Sequence, residues 1–511
     1  MKIFRCVNFV VVILLVCLLI SCKHGKTRAD RKDVLEVAIM VSPVTFDPRI
    51  AADAESNKIC KLIFDGLMEF NESMEVVPSL AERYEVISDT SYRFYLKKGV
   101  RFHSGAMFTA KDVKYTYESI LDGQIISPFK ESFSRIDKIK AEDDYTIRID
   151  LKEPYSPFLT LMTRGIVSSV DAQKMGEDYG THPIGTGPYK FVNFKPEMLV
   201  ELSANQNYFG DKPRIPVLRL NVIKEDNIRI LKIIKGDIDL AQNSVPPLLL
   251  DKVIKKGDLK MISNNGIIMT YMGLNLTDPK LKDIRVRKAI AYAINRDEII
   301  SHRFNGLATK ANSLLPVSNW AYDTTLGQYD YDPVKAAGLL DEAGYKIQKD
   351  GKRFSLSEKT SVSKERIDIA KMLAYQLSKE GISVLVQPYE WGTFYRDVKT
   401  GNFQLYTLSW VGITEPDFFY DVSHSSQFPP QGVNRDKYEN HEVDKLVEEG
   451  RQVMDINKRK EIYDKVQKII FDDLPFIPLW YEKNVLVYKK DLKGVTLLEN
   501  ASYRNLAKIY R

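Results

Sequence analysis

From Val34 onward, short runs rich in β-branched and aromatic residues alternate with longer stretches whose apolar residues recur at helical spacing. That order implies an α/β protein, since each helix buries its single apolar stripe against a sheet. No repeat or low-complexity tract interrupts it. The firmest strand candidates are Val34–Met40, Tyr92–Lys97, Tyr145–Leu151, Val217–Ile223, Ile267–Leu276, Ile382–Tyr389, Phe403–Val411 and Phe476–Tyr488.

Helices are placed by their caps. Thr109 with Asp112 reads as a capping box, Asn295 with Glu298 as another start, and Asp332-Pro333 to Gly344 shows Pro first and Gly last. Asp283 opens a segment in which Val286, Ile290, Ala293 and Ile294 form an apolar stripe, leaving Arg285, Arg287 and Lys288 to solvent or a partner lobe. Lys364–Lys379, Asn440–Gly450 and Asp455–Asp472 complete the set. Core packing explains all these stripes.

The chain has 511 residues, 44% hydrophobic and 28% charged, a globular composition long enough for about three structural units. Its net charge of +6 includes no dense basic tract beyond the N-terminus, which argues against nucleic-acid binding. Residues 1–21 read as an export signal: Lys2 and Arg5 precede an apolar run, Phe9–Ile20, too short to span a bilayer. The run ends in Leu19-Ile20-Ser21-Cys22, a lipobox-like sequence that makes Cys22 the expected lipidation site, with a plain secretory signal as the alternative. Residues 22–33 form a polar tether. Cys6 and Cys17 leave with the signal and Cys22 carries lipid, so Cys60 remains alone and no disulfide is expected.

Little in the chain suggests catalysis. The six histidines are scattered, and no HExxH, Cys cluster, GxSxG, Walker loop or GxGxxG is present, so no metal or cofactor is expected. Ser127 to Lys130 and Ser361 to Lys364 both fit SxxK, and Lys399-Thr400-Gly401 spells KTG, two elements of penicillin-binding serine hydrolases. Lys399 follows Ser361 too closely for the domain such enzymes insert there, and no SDN separates either serine from it. A hydrolase therefore remains a remote alternative.

Several blocks carry a resemblance, among them TFDP (Thr45–Pro48), YRFYLKKGVRFHSGAMFTAKDVKYTYES (Tyr92–Ser119), PIGTGPYKF (Pro183–Phe191), DIRVRKAIAYAINRDEII (Asp283–Ile300) and LPFIPLWY (Leu474–Tyr481). With these, nearly the whole chain after Val44 resembles the family 5 extracellular solute-binding proteins, the oligopeptide- and dipeptide-binding components of bacterial ABC importers. The resemblance implies a bilobal periplasmic-binding-protein type II fold, two mixed α/β lobes joined by a two-segment hinge. It places lobe I, with an inserted subdomain, at 34–275, lobe II at 276–482, and a return to lobe I at 483–511. The crossings are expected near Tyr271–Thr277 and Pro478–Asn484. Gly99, Gly105, Gly185 and Gly187 are expected at turns.

The function implied is non-enzymatic: a monomeric lipoprotein, periplasmic or cell-surface and held to the membrane through Cys22. It captures peptides between its lobes and delivers them to an ABC permease and ATPase complex. Alternatives within the class are a murein fragment, metal chelate, haem, opine or oligosaccharide as ligand, and outside it a signalling or adhesive lipoprotein. In the family the ligand's amine is met by an Asp shortly after a Trp. Aligned on Trp410-Val411-Gly412, that position is Ile413, leaving Glu415 and Asp417 as candidate replacements. Trp391 and Trp410 are candidate ligand aromatics, and the backbone of Val44, Thr45 and Phe46 is the candidate first-lobe edge.

Overall fold

The computed structural model describes residues 32–256 and 258–511. Residues 1–21, expected to be an export signal, and the expected lipidation site Cys22 lie outside the described residues. One 11-stranded sheet runs through both lobes. Its spatial order is Ile382–Tyr389, Phe354–Ser361, Leu405–Trp410, Leu259–Leu274, Phe476–Lys489, Leu240–Gln242, Val34–Ile39, Val217–Val222, Leu199–Ala204 and Tyr189–Lys195, with Ala308–Lys310 also pairing to Phe476–Lys489. A separate four-stranded antiparallel sheet, Ala81–Ser88, Ser91–Leu96, Thr146–Leu151 and Ile136–Asp143, forms the inserted subdomain.

The two long strands join the lobes. They run antiparallel from Leu259 opposite Lys489 to Gly273 opposite Phe476, with a register shift between Asn264 and Ile268. On one side of the shift Leu486–Tyr488 pairs with the first-lobe strand Leu240–Gln242. On the other, Met269–Leu274 pairs with Leu405–Trp410 of the second lobe. Tyr271, at the start of the expected Tyr271–Thr277 crossing, packs in a second-lobe core with Phe394, Tyr406 and Phe476. Bulges bend and twist a strand, so a shift at the crossing lets one sheet serve two bodies.

Local chemistry accounts for the helix starts. Asp283 accepts from the Arg285 amide at 2.9 Å, Asn295 from Glu298 at 3.0 Å and Asp332 from Lys335 at 2.9 Å. Arg287 departs from expectation. It is buried, and its guanidinium donates to the carbonyls of Asp473 and Leu474, the exposed-acceptor end of the helix Ile456–Asp473. Gly185 and Gly187 are also reassigned: a Cβ at Gly185 would stand 2.0 Å from the Ile63 carbonyl oxygen and one at Gly187 2.5 Å from that of Leu62. Close approach of backbones, not turn geometry, demands glycine at both. Gly99 and Gly105 do have the left-handed φ of a turn.

Leu35, Val37, Leu218 and Leu220 form the first-lobe core, onto which Leu492, Tyr503, Leu506 and Ile509 of the C-terminal segment return. Phe94, Tyr117, Ile147 and Phe158 fill the subdomain. Cys60 is buried and unpaired, its thiol donating to the Phe46 carbonyl.

Candidate functional site: an interlobe cleft

A cavity of about 550 Å³ opens between the lobes, within the range of about 300–1,000 Å³ usual for small-ligand sites. Its first-lobe wall is the turn around Pro48–Ala52 and the helix Ala54–Ile63 that follows. Asp53 caps that helix by accepting from the Ser56 amide at 2.9 Å, and Asn57, Lys58 and Lys61 reach the cavity from it. The subdomain adds Phe129, Thr163 and Arg164, and the C-terminal return adds Asn500 and Ser502. The second lobe supplies Val411, Gly412 and Thr414, where Gly412 takes a φ of +76° that lets the chain turn along the cleft.

The charge of this space is one-sided. Its lining contains Lys58, Lys61 and Arg164 but no Asp or Glu. Lys58 pairs with Glu55 at 3.0 Å. The Lys61 ammonium donates to the Thr163 carbonyl at 2.6 Å. Arg164 donates to the Pro48 carbonyl at 3.0 Å and lies 3.3 Å above the Phe129 ring centroid. Burial, reinforced by the neighbouring Arg164 and Arg504, lowers the Lys61 pKa to about 8. Burial likewise lowers that of Arg164 to about 10.

The two carboxylates considered as amine anchors are already occupied. Asp417 is buried and held by Arg451, Nε to Oδ1 at 3.0 Å and Nη2 to Oδ2 at 2.8 Å, with the Tyr155 hydroxyl donating to Oδ2 at 3.1 Å. Glu415 pairs with Arg459, and burial raises its pKa against that pairing. Neither residue lines the cavity, because each answers a buried arginine that would otherwise lack a counter-charge. Ile413 is buried in the second-lobe core.

Trp410 does not line the cavity; it braces the loop that does. It stacks on Tyr271 at 5.5 Å and 2°, meets Phe418 edge-on at 5.0 Å, and carries the Arg435 guanidinium 4.4 Å above its ring. Trp391 is half exposed and stacked on Tyr395 at 5.4 Å, outside the cavity lining. The first-lobe edge also shifts. The Val44 and Thr45 amides both donate to the Ser56 hydroxyl, at 2.9 and 3.1 Å, and the Phe46 amide to the Gly180 carbonyl at 2.8 Å, so these donors are spent internally. The cleft wall begins a few residues later, at Pro48, Ala51, Ala52 and Ala54.

The SxxK pattern has no matching geometry at Ser127, whose hydroxyl donates to the Arg49 carbonyl at 2.6 Å. Lys399 of the KTG lies over the Tyr395 ring at 4.9 Å. Among the described residues no group of His, Cys, Asp and Glu could hold a metal ion. Lys61 and Arg164 went unmarked in the sequence. The only signal there is a pair of lysines one helical turn apart after TFDP, and Arg164 has none.

The lobes, the paired crossing strands and the cleft define a solute-binding protein of the two-lobed kind. The family model for bacterial extracellular solute-binding proteins, family 5, matches residues 75–429, and the chain belongs to this family. It is 29% identical over 496 residues to the oligopeptide-binding protein AppA of Bacillus subtilis, covering 93% of this chain and 91% of that one. The AppA structure with a nonapeptide superposes with a TM-score of 0.80 at 28% identity, covering 93% and 98%. That of Campylobacter jejuni NikZ with Ni(L-His) gives 0.82 at 27%, covering 94% and 100%.

Proposed function

We propose that the protein is the substrate-binding component of an ABC importer, capturing a short peptide between its lobes and passing it to a membrane permease and ATPase complex. The observation that carries this reading is the cavity walled by Ala51, Ala52 and Ala54 of one lobe and Val411, Gly412 and Thr414 of the other, in a chain similar along most of its length to peptide-binding relatives. A ligand touching both walls favours the closed form by its differential affinity, and the closed form is what a permease recognises. No bond is made or broken. Pairing of an extended peptide with cleft backbone would offset the dehydration of its amides without reading its sequence.

The hinge of this reading lies at 264–268 and 482–484 of the two long strands. Export, anchorage through Cys22 and a monomeric state belong to the same proposal. Among the described residues no helix is long and apolar enough to cross a membrane.

A second reading, a non-peptide solute in the same cleft, is favoured by one observation: no cavity-lining carboxylate stands ready for a free amine. Native mass spectrometry of the purified protein, with fragmentation of the released ligand, separates the two. A ladder of peptides supports the first reading; a single non-peptide species overturns the peptide assignment and leaves solute capture standing.

A further inference from the structure

We propose that the ligand presents an anionic oxygen group, in the first instance a carboxylate, to Lys61 and Arg164 on the first-lobe wall of the cleft. This rests on the solute-capture reading and adds the chemical class of what is captured.

Every charged side chain that lines the cavity is a cation. Lys58 has its counter-ion in Glu55, but neither Lys61 nor Arg164 forms an ion pair among the described residues. Each makes a single hydrogen bond to a carbonyl, although an ammonium has three donors and a guanidinium five. Glu69, the carboxylate that acts on Lys61, is paired with Arg504 at 3.5 Å, and Asp65 pairs with the same arginine. Two desolvated cations close enough to repel one another are costly when uncompensated. An anion seated between them would offset the cost of their desolvation and relieve the repulsion. It would gain charge-assisted hydrogen bonds, bidentate ones if it meets Arg164 as a carboxylate does.

The second-lobe wall brings no charge of its own, only Val411, Gly412 and Thr414. A ligand would thus be oriented by its anionic end against the first lobe, with its remaining length along an uncharged loop. The chemistry fits a peptide C-terminus, an acidic side chain or a non-peptide acid equally.

The test is calorimetric titration of the purified protein with Ala-Ala-Ala, N-acetyl-Ala-Ala-Ala, Ala-Ala-Ala-amide, Ala-Glu-Ala-amide and succinate. Expected is a preference of tenfold or more for Ala-Ala-Ala over its C-terminal amide, with little penalty for the N-acetyl form. Recovery of affinity in Ala-Glu-Ala-amide would assign the pocket to a side chain. Lys61→Met should reduce the acid-over-amide preference to about threefold or less, with Arg164→Leu as a second variant should the first not fold by circular dichroism. Burial first, then the facing cations Arg164 and Arg504, loosen the Lys61 proton against the opposing pull of Cys60 and Glu69, with Lys58 on the same helix. Wild-type affinity for the free acid should fall about tenfold from pH 7 to pH 9 as the protonated fraction drops, and the fall should vanish in Lys61→Met. Equal affinity of acid and amide, an unchanged preference in a folded variant, or failure of every free-acid probe would overturn the proposal. Binding of succinate without any peptide would remove the peptide assignment alone.

Discussion

Tyr155 offers the sharpest handle on lobe closure. It belongs to the subdomain of the first lobe, yet its hydroxyl donates to Asp417 Oδ2 of the second lobe at 3.1 Å. The Asp417–Arg451 pair lies wholly within the second lobe and stays intact when the lobes part, so the tyrosine contact, like the neighbouring Ser156 bonds to the Gly450 and Arg451 carbonyls, depends on closure while the ion pair does not. A hydrogen bond to a charged acceptor contributes about 1.5–3 kcal/mol net, and in the open form water replaces it. Tyr155→Phe should therefore disfavour closure by about 1.5–2 kcal/mol, since the adjoining bond from the Ser156 amide to the Arg451 carbonyl at 2.8 Å persists. Where the open form predominates without ligand, Kd should rise about 10- to 30-fold, at 1.4 kcal/mol per decade. Calorimetry with the co-purifying ligand reads the affinity, and small-angle scattering reads the closed fraction. Tyr92→Phe is the control, because its hydroxyl reaches only the Met454 thioether at 3.9 Å and its loss should change neither. Unchanged affinity and unchanged scattering in Tyr155→Phe would refute a closure role for this contact.

Two further predictions concern the folded body. Glu358 is buried with one carboxyl oxygen accepting from Thr407 at 2.6 Å and the other without a partner, and burial pushes its pKa to about 7 from 4.5. The folded state then holds a proton that the unfolded chain releases above about pH 4.5, so stability declines as pH rises toward 7, by up to roughly 3 kcal/mol. Glu358→Gln should flatten the difference in melting temperature between pH 5 and pH 8, and parallel profiles would exclude the effect. Gly185→Ala should lower stability by about 1–3 kcal/mol, because its Cβ would meet the Ile63 carbonyl at 2.0 Å and backbone must shift; a chemical denaturation curve checks this.

What was legible in the sequence was what local chemistry determines. Asp283, Asn295 and Asp332 cap where a short polar side chain before an apolar stripe must, and the strand Ile382–Tyr389 keeps its bounds. The first half of the strand Leu259–Leu274 was hidden because Asn264-Asn265-Gly266 carries turn residues, whereas the structure uses them as the register shift at the crossing. Arg287 was misjudged for a different reason: helical periodicity sets its face but not the carbonyls of Asp473 and Leu474 that bury it. The cleft followed the same division. Its second-lobe wall includes Val411 and Gly412 of the Trp410-Val411-Gly412 segment, which was singled out through the family resemblance. The partners of Glu415 and Asp417 come from Arg459 and Arg451, across a tertiary contact that no local pattern records.

Those pairings change what the loop after Trp410 does. Its front, Val411, Gly412 and Thr414, faces the cleft without charge, while its rear carboxylates hold the loop to the helices bearing Arg451 and Arg459. A carboxylate spent on a buried arginine cannot also neutralise a ligand amine without abandoning that arginine, and breaking such a pair costs about 3–5 kcal/mol. With Ile413 buried where an acid was sought, the second lobe keeps its acids for its own architecture, and Asp417 for the Tyr155 contact as well. The unpaired charge at the cleft belongs instead to Lys61 and Arg164 of the first lobe. Recognition by charge and closure by Tyr155 then rest on different side chains, so Lys61→Met should alter which ligands bind while leaving the Tyr155 contact intact, and Tyr155→Phe should weaken all ligands by a similar factor.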